Sequence, residues 1–152
     1  MVQFEGRMSL IHRKQRKPTG NGMKIYAICE PKTGYCFVFE LDRRNGKKIE
    51  DFVLDNAAKL QPCHHHLYMD NLFTSTGLLK KLLERGIYGC GTARVNRGVP
   101  AALTQKEANL TTVGQWKWMM APPQLLAVAW KDTGHTIMMS SFHKPEEGEV
   151  LR

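Results

Sequence analysis

The sequence predicts a mixed α/β (α+β) fold, and three observations carry that expectation. Between Tyr68 and Arg97 a short apolar strand, a helix and a second strand follow one another within about thirty residues. Ahead of them, two alternating segments separated by a turn read as a β-hairpin. Behind them, after Arg97, the pattern turns to short strands punctuated by Pro and Gly.

The elements follow in order. Residues 6 to 29 hold no acid and carry Arg7, Arg13, Lys14, Arg16, Lys17 and Lys24. Up to Gly22 the segment is polar, with Pro18, Gly20 and Gly22 as breakers, so it is expected to be an extended basic arm or loop. Met23 to Cys29 alternates as a strand, Pro31–Gly34 is a turn, and Tyr35 to Phe39 is the return strand. Ile49 to Leu60 places apolar residues at 49, 53, 54, 57 and 60, one helical face. Cys63 to Met69 leads into the strand that ends at Asp70. Thr74 or Ser75 caps the next helix, whose stripe is Leu78, Leu79, Leu82 and Leu83 and whose stop is Gly86. Ile87 to Arg94 is a strand. Residues 100 to 109 hold a short helix, and 114 to 120, 125 to 131 and 136 to 140 are strands, with turns at Pro122-Pro123 and Asp132–Gly134.

Lys plus Arg number 22 against 14 Asp plus Glu, a formal +8. Such a balance favours a polyanionic partner, nucleic acid first, and says nothing about fold. The four cysteines, at 29, 36, 63 and 90, form no C-x-x-C pair, which removes zinc ribbons and thioredoxin-like chemistry. They read as reduced, mostly buried thiols of an intracellular protein. No long apolar run or signal peptide is visible, so a membrane partner is not expected.

Several blocks, taken in order, resemble the piggyBac-type transposases and their transposable-element-derived relatives. They are Phe4-Glu-Gly-Arg7, Lys17-Pro18 with Gly22-Met-Lys-Ile-Tyr26, Thr33-Gly-Tyr35, Tyr68-Met-Asp-Asn-Leu-Phe-Thr-Ser75, Gly91-Thr-Ala-Arg94 with Asn96-Arg97, Ala127-Val-Ala-Trp-Lys-Asp132 and Met138-Met-Ser-Ser-Phe-His143. The resemblance implies a ribonuclease-H-like core that cuts and joins DNA with three aspartates. On that frame the chain is an incomplete core with a small inserted β-domain: a basic arm over 1–22, partial core over 23–94, insertion over 95–143 and a loose end over 144–152. Asp70 matches the family's second catalytic aspartate and hence a metal ligand. The first would lie before Phe4 and the third beyond Arg152, so the chain as given is expected to be an inactive fragment, with Mg²⁺ bound only if the site is completed. The alternative is an active transposase whose gene model is truncated. The resemblance further implies a nuclear location, DNA as partner, and self-association or association with related transposase chains.

Each candidate has a plainer reading. Asp70, without the resemblance, is an acid near a helix N-terminus; with it, a former metal ligand now serving the structure. Asn71 is a turn former or shapes the site. Cys63 and His64 to His66 fall short of four tetrahedral zinc ligands, since neighbours on a strand point to opposite faces, so they read as a surface cluster. The arm with Arg7, Arg13, Lys14, Arg16, Lys17 and Lys24 tracks a phosphate backbone or is a solvated loop. Trp116, Trp118 and Trp130 stack on bases or, as favoured here, form the core of the β-domain.

Overall fold

The computed structural model describes residues 2–13, 20–43, 45–60 and 64–145. The chain divides into two compact units, Met1–Pro62 and Cys63–Arg152.

In the first unit, part of the expected basic arm is strand. β1 (Val2–Gln3), β2 (Ile11–Arg13) and β3 (Asn21–Met23) form a small antiparallel sheet in the order β1-β3-β2. The reason lies in Gly22, which sequence reading treats as a breaker. A Cβ there would lie 2.2 Å from the Val2 carbonyl oxygen, so only glycine admits β1 at this spacing. The hairpin forms as expected from β4 (Ile25–Cys29) and β5 (Cys36–Leu41). Its turn is held by the Glu30 carboxylate, which accepts from Lys32 N at 2.9 Å and from Thr33 N and Thr33 Oγ1 at 2.6 Å each. These bonds to the charged form hold the Glu30 carboxyl below its ordinary range, with the Thr33 hydroxyl the largest cause. Helix α1 (Ile49–Ala57) packs Phe52 against Tyr26, ring centroids 4.6 Å apart. Lys47 lies over the Phe52 ring and bridges Glu40 Oε1 at 3.0 Å and Asp55 Oδ2 at 2.9 Å. The helix is shorter than the 49–60 periodicity predicts, because Lys59 and Leu60 bond in tight turns to Asn56 and Ala57.

The second unit is a five-stranded sheet with one covered face. It contains β6 (His66–Met69), α2 (Thr76–Leu83), β7 (Tyr88–Thr92), a 3₁₀ turn (Ala101–Leu103), α3 (Gln105–Ala108), β8 (Trp116–Ala121), β9 (Leu125–Lys131) and β10 (His135–Ser140). Strand order is β6-β7-β10-β9-β8, with β6 and β7 parallel and the other pairs antiparallel. Ser75 is the α2 cap, its side chain accepting from Leu78 N at 3.0 Å. Leu78, Leu79 and Leu82 are fully buried. Leu79 joins Leu103, Ala108, Leu125, Ala127, Ala129, Ile137 and Met139 in one core under α2, the 3₁₀ turn and α3. His135 lies on β10 and ties the 3₁₀ turn down through Nε2 and Leu103 O, 2.9 Å apart.

The compact units meet at Pro62 and Cys63. Segment 95–143 adds strands to the same sheet as β6 and β7: Met138, Met139 and Ser140 pair with Thr92, Gly91 and Cys90. The Asp132–Gly134 turn returns the chain so that β10 lies between β9 and β7, which makes the sheet continuous. The tryptophans, expected in a core, face outward. The inward set on β9 is Leu125, Ala127 and Ala129, so alternation sends Trp130 to the other face. Register then places Trp116, Trp118, Met120 and Met138 beside it, and Trp116 is 56% exposed.

The packing at Gly91 and on the outer face can each be tested. A Cβ at Gly91 would lie 2.1 Å from Met69 O and 2.5 Å from Thr74 Oγ1. Gly91→Ala should therefore destabilise the chain by about 3 kcal/mol, read as a lowered urea midpoint; an unchanged midpoint would show that β6 and β7 are not this close. The outward tryptophans should be readily quenched by acrylamide in the native protein, and quenching that rises only on unfolding would show the face covered.

Candidate nucleic-acid interface and carboxylate site

The chemistry-bearing residues of the second unit gather where the parallel strands end. In sheets of this kind the carboxyl ends of parallel strands are where ligands sit. Asp70 follows β6 directly and is exposed. Its Oδ1 accepts from Asn71 N at 2.6 Å, and its carbonyl accepts from Phe73 N at 2.9 Å and Thr74 N at 3.2 Å. That closed turn carries the chain into α2. No acid stands in the first turn of α2, and the capping function belongs to Ser75. Asp70 is therefore not the dipole-stabilising acid of the plainer reading.

The loop after β7 is stitched to this turn. Arg94 Nε donates to Asn71 Oδ1 at 3.1 Å, and Arg97 Nη2 donates to Leu72 O at 3.3 Å. Thr76 N donates to Arg97 O at 3.0 Å and Thr76 Oγ1 to Gly98 O at 2.6 Å. The edge thus presents one carboxylate and two guanidinium groups on two loops that brace each other. Asn71 does more than turn the chain, since its amide oxygen holds Arg94. Arg94 and Arg97 were legible in the sequence only as parts of the Gly91-to-Arg97 blocks, and no periodicity singles them out.

A divalent ion of the kind the resemblance implies needs more than this edge supplies. Mg²⁺ takes near-octahedral oxygen ligation, and a two-ion site needs carboxylates from several strands. Among the described residues no group of three His, Cys, Asp or Glu side chains is placed to hold a metal, so Asp70 alone does not fit such a site. His64 and His66 instead lie against aromatic rings, His66 at 4.4 Å from Phe142 and 5.2 Å from Tyr88 between centroids. Cys63 lies outside the described residues.

Of the basic arm, Arg7 and Arg13 are exposed, Arg13 on β2. Lys14, Arg16 and Lys17 lie outside the described residues. Lys24 is half-buried and engaged: its ammonium is 3.7 Å from Asp42 Oδ2, 4.4 Å from the Tyr26 ring centroid, and hydrogen-bonded to the Tyr26 hydroxyl. His12 Nε2 lies 3.5 Å from the same Asp42 oxygen. An acid beyond the acid-free stretch thus folds back and takes up part of its charge, which the local composition of 6–29 does not reveal.

Comparison with known proteins adds two findings. A family model described as Transposase IS4 matches residues 1–150. Among solved structures, a cryo-EM structure of the piggyBac transposase synaptic complex with hairpin DNA is similar, with a TM-score of 0.82 at 26% identity. The match covers 97% of this chain and 32% of that one, so the chain spans about a third of the length of that relative. The mixed α/β architecture read from the sequence is that of the matched part of the transposase.

If Asp70 serves a site rather than the fold, Asp70→Asn should leave stability within about 0.5 kcal/mol of the parent, since the amide oxygen can still accept from Asn71 N. Urea denaturation measures this. A loss on the order of 2 kcal/mol or more would make Asp70 a structural acid.

Proposed function

The chain belongs to the Transposase IS4 family, and on that premise we propose that it is part of the ribonuclease-H-like core of a piggyBac-type transposase, binding DNA without cutting it as it stands. The observation that carries this reading is the braced edge at the ends of β6 and β7, where Asp70, Arg94 and Arg97 meet on two loops. Exposed guanidinium groups contact phosphate oxygens without reading sequence. The formal +8 favours a polyanionic partner. The similar solved structure is described as a complex with hairpin DNA, which supports the same partner class for this chain.

Arg7, Arg13 and Arg94 are the best placed of the described cations, with Lys14, Arg16 and Lys17 assigned from sequence. Lys24 would contribute least, because Asp42 offsets its charge. The lone carboxylate leaves strand cleavage underivable from the described residues. An active transposase is the second reading, and one observation favours it: Asp70 is exposed at a strand's carboxyl end, the position of a ligand. It would require Mg²⁺ ligands from residues other than those described. A nuclear location and association with further transposase chains follow the same reading. No helix among the described residues is long and apolar enough to cross a membrane.

Fluorescence anisotropy with two unrelated duplexes across a salt series tests the proposal. Binding should be similar for both duplexes, with dissociation constants on the order of 10⁻⁴ to 10⁻⁶ M at physiological salt. Changing Arg13, Lys14, Arg16 and Lys17 together to Ala should weaken both and flatten the salt slope, by about 0.9 for each phosphate no longer neutralised. No cleavage should appear with Mg²⁺ or Mn²⁺. An unchanged slope in the quadruple variant would remove the arm from the interface. Metal-dependent cleavage abolished by Asp70→Ala would establish the second reading.

A further inference from the structure

Two cysteines in the first unit face each other across the hairpin. Cys29 on β4 and Cys36 on β5 are Cα partners, and both are exposed and free. The sequence reading of mostly buried thiols holds for Cys90 and not for these two. Directly opposed residues in antiparallel strands have Cα atoms about 4.5–5.5 Å apart, inside the window of about 4.4–6.8 Å that a disulfide requires. The register shifts at this rung, where Ile28 pairs with Val38 and Cys29 with Cys36, so Phe37 is the extra residue. The bulge is what brings Cys36 opposite Cys29.

The turn that joins the two cysteines is preorganised. Glu30 N donates to Tyr35 O at 2.8 Å, Gly34 N donates to Glu30 O at 2.9 Å, and the Glu30 carboxylate gathers Lys32 and Thr33. Gly34 takes a φ of +74°, which a side-chain-bearing residue adopts only with strain. The two sulfurs are therefore held near one another by a turn built independently of them.

We propose that Cys29 and Cys36 are a reversible modification site, a cross-strand dithiol that exchanges with low-molecular-weight disulfides such as oxidised glutathione. The Cys29 thiol lies above its ordinary range, first because of desolvation and then because it is hydrogen-bonded to Cys36 and close to that residue's charge. The thiolate is the attacking species. Whichever of the two cysteines is deprotonated first displaces one glutathione thiolate and forms a mixed disulfide. The other, deprotonated in turn, attacks that cysteine's sulfur and releases the second glutathione. The two protein thiols lose two protons and two electrons, and one glutathione disulfide is reduced to two thiols.

The test uses the full chain in oxidised glutathione, alkylated and digested with trypsin. Cleavage after Lys24, Lys32 and Arg43 separates the cysteines into peptides 25–32 and 33–43. The expected product is those two peptides joined, about 2 Da lighter than their reduced sum, and separated again by dithiothreitol. Cys29→Ser should instead trap glutathione on Cys36 as a stable adduct. Persistent glutathione adducts in the parent chain, crosslinks only between two chains, or no reaction at either cysteine would each overturn the proposal. The parent-chain readouts need no variant to fold.

Discussion

At Gly91 the β7 backbone lies against the Met69 carbonyl so closely that a single added carbon would meet it at 2.1 Å. Most of the second unit depends on this approach. It sets the parallel register of Met69 on Gly91, and it admits the Thr74 hydroxyl, which bonds back to Asp70 O at 3.1 Å. That bond closes the turn that exposes Asp70 and starts α2 at the Ser75 cap. Gly89 performs a related task on the same strand, where a Cβ would lie 2.6 Å from Leu79 Cδ2. The helix can therefore sit low on the sheet with its leucines fully buried. Burying each such side chain stabilises by about 1.5–3 kcal/mol relative to exposure, so the two glycines position much of the apolar burial.

The first unit is organised differently, around polar contacts over small aromatic packing. Asp42 gathers His12, Lys24 and the Tyr26 hydroxyl, the last at 3.5 Å. Lys47 gathers Glu40 and Asp55 and covers Phe52. Together they connect β2, the hairpin and α1. Side chains carrying the two charge groups are partly exposed, so each pair contributes modestly, about 0–1 kcal/mol for exposed pairs. Their larger effect is on which cations remain available to an external phosphate.

The regular elements were legible where a period ran uninterrupted. The β9 segment falls at 125–131 as the alternation predicts, and Leu78, Leu79 and Leu82 of the α2 stripe point inward as their spacing requires, while Leu83 is half-buried. The three short strands ahead of β4 were not legible, because each spans three residues or fewer and Gly22 signals a break when read alone. The tryptophans misled for a definite reason. Large aromatic residues in a short β segment suggest a core, but facing direction is set by register, and register depends on β10 docking beside β7. Asp70 was visible from its place between strand and helix, whereas its link through Asn71 to Arg94 spans 23 residues and has no local signature.

The seam between β7 and β10 has a consequence for how the chain acquires its structure. β8, β9 and β10 are joined by short turns, and β6, α2 and β7 form a local unit of their own. The strand ladder that joins the two sets Met138, Met139 and Ser140 against Thr92, Gly91 and Cys90, across more than forty intervening residues. Contacts of large sequence separation carry the loop-closure entropy that slows folding. During synthesis β7 therefore emerges with one edge unpaired until β10 has left the ribosome, and that bare edge is the kind that recruits other strands. The step that makes the sheet continuous is also the one that covers this edge of β7.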